Sequence, residues 1–415
     1  MNALIIQGVV DRLRAVALTA GVGVLTGIAL LAVHPLSAQN LELNRLIQIA
    51  FDNNKGIRSL QIQTQQQKAN INTAYTFDKT TVYYGYDENN IAPNDLPLKV
   101  WGIEQSFLFP TVYSSQYKVH KAEWKIAQTA YEIAQYKLAL DVSLVYEQIV
   151  WIQQREKLYQ YLDSLYNDFA RAGSRKFELG ETNYLEKITT EAKARMMHTS
   201  LTKVVQGKKA AYEQLAALLQ VDDTVVIANS ELEELNILSN NTALNLHRDH
   251  LENTTALYKS RLNLERNNWL PNINLEYFQG TNSAMRGSMY GFQVGFSFPL
   301  LFTGNLSKNK VAKLDWLQWE EQRKNQEAKM NSFFVVKRSE LEQKHEAIRY
   351  YNESGQRLSD EIIHTAEKSY RNGEIDFFQY IQSLESAANI QLDYLDNLLQ
   401  YNQAYLKLYY FDYNE

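Results

Sequence analysis

The sequence predicts a mainly α-helical chain with a small β part, built as two structural repeats. Three observations carry that prediction. Apolar residues recur at heptad spacing over very long stretches. Four short segments alternate aromatic with small residues, and the same landmarks return in the same order in both halves. The composition of the 415 residues agrees, because 17 glycines and 6 prolines leave little punctuation for a loop-rich globule.

Residues 1–38 differ from the rest. Arg12 and Arg14 precede the apolar run Ala15–Val33, and the small residue Ala38 stands before Gln39. This is the pattern of a secretory signal peptide cleaved near Ala38, although the run is also nearly long enough for a retained membrane anchor. The mean hydropathy of −0.40 excludes a bundle of membrane helices. A net charge of −5 argues against nucleic acid as a partner. Cysteine is absent, which excludes disulfides, thiolate metal sites, cysteine catalysis and a lipidated N-terminal cysteine.

The first repeat is assigned to 39–235 and the second to 236–415, with the polar stretch Val221–Asn241 as the join. "VWGIEQSFLFP" ends at Pro110 and "MYGFQVGFSFP" at Pro299, an offset of 189. "KAEW" ends at Trp124 and "KLDW" at Trp316, an offset of 192, and the pairs Gly180-Glu181 and Gly373-Glu374 are offset by 193. The slow drift predicts small loop insertions. Each unit reads as a helix, two strands and two long helices.

Leu138, Val142, Val145, Ile149 and Ile152 follow one another at steps of 4, 3, 4 and 3, the seam of a left-handed coiled coil. Phe377, Ile381, Leu384 and Ala388 repeat the pattern. No proline falls between Tyr113 and Ala172. One helix over that stretch would be about 90 Å long. The strands have the opposite period. Val82, Tyr84 and Tyr86 share a face in the first, and Trp101, Ile103, Phe107 and Phe109 in the second, where Gln105 interrupts them. Ile273, Leu275 and Tyr277 share a face in the third, and Tyr290, Phe292, Val294, Phe296 and Phe298 in the fourth. Gln293, Ser297 and Glu104 fall on the opposite face.

Aromatic-out, small-or-polar-in segments of about ten residues suit an outer-membrane barrel. An antiparallel sheet packed on a soluble core is the alternative. Four strands cannot enclose a lumen, since about eight is the minimum. A homotrimer would supply a 12-stranded barrel and leave no open edges. On that reading Trp101, Ile103, Phe107, Phe292 and Phe296 face outer-membrane lipid, and Asp87–Lys99 and Gln279–Met289 are extracellular loops.

In both halves an aromatic residue stands three before a Gly-Glu pair: Phe177 before Gly180-Glu181, and Tyr370 before Gly373-Glu374. With the Phe-Pro junctions at Pro110 and Pro299, the "LPNINLEYF" segment and the duplicated order, the chain resembles the TolC family of outer-membrane efflux proteins. The resemblance covers nearly everything after residue 40. It implies a trimeric duct with its barrel in the outer membrane and a coiled-coil tunnel in the periplasm. It further implies docking to a periplasmic adaptor (membrane fusion) protein and to an inner-membrane pump, often of the resistance-nodulation-division (RND) type. Phe177, Gly180, Glu181, Tyr370, Gly373 and Glu374 would then be the adaptor-docking tips. The glycines would permit a reversal too crowded for a side chain, and the glutamates would lie in the first turn of the next helix. The family tunnel commonly carries acids six positions after the tip glycine. Glu186 and Gln379 stand there, so the gate would carry one carboxylate per chain.

No catalytic constellation and no cofactor is expected. The seven histidines are scattered except for "HRDH". His247 and His250 could share a helix face as metal ligands, but no carboxylate pattern completes a site, and the pair reads as solvent-facing. No phosphate loop or nucleophile elbow is present. A structural coiled-coil protein of the cell envelope is the alternative function, though it would not require aromatic strands.

Overall fold

The computed structural model describes residues 38–88, 96–222, 225–228, 231–236, 241–282, 286–299 and 303–413. Apart from Ala38, the leader assigned at 1–38 lies outside the described residues. The described residues within Met1–Ile57, Ala134–Leu244 and Lys329–Glu415 form one compact unit, and those within Arg58–Ile133 and Asn245–Ala328 the other.

The elements run α1 (Ala38–Asn53), α2 (Lys55–Asn70), a 3-10 turn (Ile71–Tyr75), β1 (Thr81–Asp87) and β2 (Leu98–Phe107). Next come α3 (Pro110–Glu178), α4 (Tyr184–Leu219), α5 (Asn241–Asn267), β3 (Asn272–Asn282) and β4 (Met289–Ser297). The chain closes with α6 (Thr303–Tyr350), a π turn (Tyr351–Gly355), α7 (Gln356–Arg371) and α8 (Phe377–Tyr410). No helix among the described residues is long and apolar enough to cross a membrane.

α3 is one helix of 69 residues. Pro110 opens it, where its missing N–H costs nothing and its fixed φ suits the first turn. The predicted seam lies inside: Leu138, Val142, Val145, Ile149 and Ile152 are all buried. Phe377, Ile381, Leu384 and Ala388 of α8 are buried too. Ion pairs with a hydrogen-bonding indole hold α3 to α8. Lys137 meets Asp412 just beyond α8 at 2.6 Å, and Arg155 meets Asp396 at 2.7 Å. Trp151 donates its indole N–H to the same Asp396 at 3.0 Å, with the Arg155 guanidinium over its ring.

The π turn marks where a loop insertion was expected. The interval from Trp316 to Gly373 is one residue longer than that from Trp124 to Gly180. Between Trp316 and Arg371 the chain has no loop. Instead the Gln356 N–H reaches back to the Tyr351 carbonyl, five residues earlier, and one wide turn takes up a residue. Tyr351 stacks flat on Tyr394 of α8, with ring centroids 3.8 Å apart.

In the other unit the strands form one antiparallel sheet in the order β1-β2-β3-β4. The register aligns Val82, Ile103, Tyr277 and Phe292 in one row. The next row, on the opposite face, is Thr81, Glu104, Glu276 and Gln293. The apolar row is exposed: Phe292 is 79% accessible and Ile103 41%. Gln293 and Ser297 on the other face of β4 are exposed as well. A sheet packed on a soluble core would bury one of these faces, and neither face of β4 is covered by a described element.

Candidate functional site

Two places in the chain carry the predicted site residues: the paired helix turns and the two faces of the sheet. The turns share one design. In the first, the Gly180 N–H bonds the Phe177 carbonyl at 3.0 Å and the Glu181 N–H bonds the Lys176 carbonyl at 2.8 Å. In the second, Gly373 bonds Tyr370 at 3.1 Å and Glu374 bonds Ser369 at 2.8 Å. These are paired Schellman motifs, which satisfy the last free carbonyls of α3 and α7. Both glycines have φ near +72°, a conformation that L side chains resist.

Three details differ from expectation. A Cβ built on Gly180 or Gly373 meets nothing within 4 Å, so crowding is not the reason for glycine; the backbone angle is. Glu181 and Glu374 do not lie in the first turn of the next helix. They sit just past the glycines, and α4 and α8 begin three residues later, at Tyr184 and Phe377. The residue in the first turn of α4 is Glu186. Its backbone N–H bonds the Asn183 side chain, which caps the helix, and its carboxylate accepts from the Thr182 hydroxyl. Gln379 has the matching place in α8. It forms a full capping box, with its N–H on Asp376 at 2.8 Å and its side chain accepting the Asp376 N–H at 3.1 Å. Gln379 therefore has a capping role that fits its type, and Glu186 ties its carboxylate to Thr182 at the start of α4.

Phe177 and Tyr370 are the half-buried aromatic residues beneath the glycines. Phe177 packs on Tyr184 and lies under Lys187. Tyr370 stacks on Tyr380, with ring centroids 4.8 Å apart, and meets the Lys176 ammonium of the other turn. Phe169 of α3 inserts edge-on against both Phe377 and Tyr380. A Lys193–Glu385 ion pair joins α4 to α8. The structure thus brings the two turns together, Lys176 of the first lying over Tyr370 of the second.

On the sheet, Trp101, Ile103, Phe292 and Phe296 share the exposed apolar face, and Trp101 meets Tyr277 edge-on. Phe107 lies on the same face but is half-buried against Phe77. On the opposite face Tyr83 lies over Gly102 and Phe278 over Gly291, each ring filling the space a Cβ would take. Tyr83 donates its hydroxyl to Glu276. The acidic residues of this face are Asp87, Glu104 and Glu276, and its described strand residues include no lysine or arginine.

With coiled hairpins and an open four-stranded sheet in place, comparison with solved structures is decisive for the fold. The chain is similar to the open state of the MtrE outer membrane channel of Neisseria gonorrhoeae, at a TM-score of 0.71 and 16% identity, over 89% of this chain and 88% of that one. It is similar to the outer membrane protein VceC of Vibrio cholerae, at 0.71 and 12%, over 90% and 96%. For the CmeC outer membrane channel of Campylobacter jejuni the values are 0.68 and 15%, over 89% and 85%.

The fold is that of the TolC-like outer-membrane channels. At these identities the likeness establishes the fold alone. No protein-family model and no curated protein matches the sequence.

The structure also corrects the reading of the histidines. His247 is 9% exposed rather than solvent-facing. His250 is half-buried, with Nδ1 at 2.8 Å from the Thr129 hydroxyl, and burial lowers its pKa below the ordinary 6.5. No group of three potential metal ligands occurs among the described residues.

Proposed function

We propose that this chain is the outer-membrane channel of a tripartite efflux system, conducting its cargo passively across the periplasm and outer membrane. Three copies would close a 12-stranded barrel and pack their hairpins into a periplasmic tunnel. The tips would dock a periplasmic adaptor, and the adaptor an inner-membrane pump of the RND type. The two-unit division at 39–235 and 236–415 belongs to the same proposal. The observation that carries it is the uncovered sheet. Its apolar face is exposed, its other face is mostly polar or small apart from residues such as Tyr83 and Phe278, and the outer edges of β1 and β4 pair with no further strand among the described residues. Lipid outside, water inside and neighbouring copies at the edges would satisfy all three. The test is reconstitution of the full chain in planar bilayers, together with heat-modifiable migration of the outer-membrane fraction. Trimers that conduct are expected; a monomer confined to the soluble fraction would exclude a channel.

Two further outcomes follow from the residues. Arg286 and Ser288 are exposed beside β4, whereas Asn282, in the same proposed extracellular segment, is buried with its amide on the Leu96 carbonyl at 2.9 Å. Arg286→Cys should label on intact cells with an impermeant thiol reagent, and labelling at Glu181→Cys instead would invert the topology. At the tips, Glu186→Gln should keep the helix start, because Gln379 already serves in that place in α8. In a trimer the change would remove a ring of three carboxylates, so cation preference should fall. Reversal potentials under a salt gradient read this directly. An unchanged potential would assign Glu186 to capping alone.

A further inference from the structure

Glu147 of α3 is 2% exposed and Asn402 of α8 is fully buried. The Asn402 amide donates to the Glu147 carboxylate at 2.8 Å and to the Glu233 carbonyl at 2.8 Å. Its oxygen accepts the Leu235 N–H at 3.1 Å. One side chain therefore brackets the join between the two halves onto a buried carboxyl. The join is anchored upstream as well. Ile227 is buried, its N–H meets the Tyr212 hydroxyl at 3.4 Å, and its carbonyl accepts from Gln153 at 3.3 Å.

Among the described residues no cation pairs with Glu147. The charge that bears on it is the Glu233 carboxylate of the join. Next along the join, Glu234 pairs with His345 of α6 at 2.8 Å and acts on Tyr401 of α8. The join is thus acidic at Glu233 and Glu234, and the base that meets it is His345, already engaged by Glu234; Lys344, beside His345 on α6, is turned to Asn397 of α8 at 3.2 Å.

We propose that Glu147 and Asn402 form a proton-dependent clasp that holds residues 231–236 while Glu147 is neutral and loosens them when it ionises. Burial and Glu233 both disfavour the anion, and together they outweigh the Asn402 hydrogen bond that favours it. They push Glu147 from its ordinary 4.5 up to about 7. The direction follows. In the unfolded chain the carboxyl ionises near 4.5, in the folded one only near 7. Docking is therefore strongest below about 4.5, weakens as pH rises from there to about 7, and is level above that. Release of the join would let water reach the anion and separate it from Glu233. The clasp does not depend on the channel reading, because it lies wholly within one compact unit.

Amide hydrogen exchange of the full-length protein, measured in steps from pH 5 to pH 8.5 and corrected for intrinsic base catalysis, is the test. Protection at Leu235 should fall about tenfold between pH 6 and pH 8.5 in the native protein. It should not change in Glu147→Gln, which keeps the shape and the hydrogen bond from Asn402. Amides of α8 should show no such step in either protein. Glu233→Gln, a substitution on the exposed side of the bracket, should move the midpoint to lower pH. A flat native profile, the same fall in Glu147→Gln, or an unmoved midpoint in Glu233→Gln would each overturn the clasp.

Discussion

Phe292→Arg is expected to abolish the heat-stable trimer, whereas Gln293→Arg, one residue along, is expected to leave it intact. Phe292 is the most exposed of the β4 aromatic residues, at 79%, and sits in the row with Val82, Ile103 and Tyr277. It lies mid-strand, so in the proposed barrel it would be deep in the hydrocarbon. An arginine there costs about 2–4 kcal/mol per chain, and a trimer would bear it three times. Phe296 is on the same face but one residue from the end of β4, so the penalty there should be smaller. Gln293 pairs with Glu276 on the other face. An arginine at 293 would find a carboxylate directly opposite. Urea titration of the folded trimer by gel mobility measures both variants. Damage at Gln293 with none at Phe292 would reverse the assignment of lipid and lumen.

The alternation that singles out Phe292 was legible in the sequence because period two survives wherever one face of a strand meets a different solvent from the other. The register was not legible. Nothing local says that Tyr83 will cover Gly102 or that Phe278 will cover Gly291, because those pairings join residues of different strands. The helical seams were legible for the same reason as the strands: Leu138 to Ile152 repeat at the coiled-coil spacing, and all five seam residues are buried. The helix starts carried a local signal too. Asn183 and Asp376 each stand three residues before Glu186 and Gln379, the spacing of a helix start. That pattern accounts for the Gln379 side chain before any gate is invoked, whereas Glu186 turns its carboxylate to the Thr182 hydroxyl. The one-residue surplus after Trp316 was visible as a drift in spacing, but its form was not. A π turn depends on how a packed helix absorbs a residue, and Tyr351 needed Tyr394, far along the chain, to stack upon. Glu147 was illegible for a related reason. A glutamate within a coiled-coil stretch reads as solvated unless the Asn402 that meets it is known.

The tip glycines yield the sharpest separation of shape from contact. Gly180→Val and Gly373→Val are expected to disrupt their turns, because φ near +72° strains any L residue by about 1–2 kcal/mol and a β-branched one more. Gly→Asn at the same positions should keep the turns, since asparagine tolerates the left-handed region and open space surrounds the missing Cβ. If the tips are only reversals between helices, the Asn variants should export like the native protein. If an adaptor seats on the bare glycines, an added side chain projecting into that space should weaken docking although the backbone is unchanged. We expect the second result. The sheet and the proposed trimer should be indifferent to both substitutions, so heat-modifiable migration serves as the internal control. One tip altered should leave partial export, because the other turn has the same Schellman geometry, and both altered should remove it. Affinity of the purified adaptor for each variant, read beside toxicity assays on cells, decides the matter. Native adaptor affinity in the double Asn variant would confine Gly180 and Gly373 to the role of helix caps.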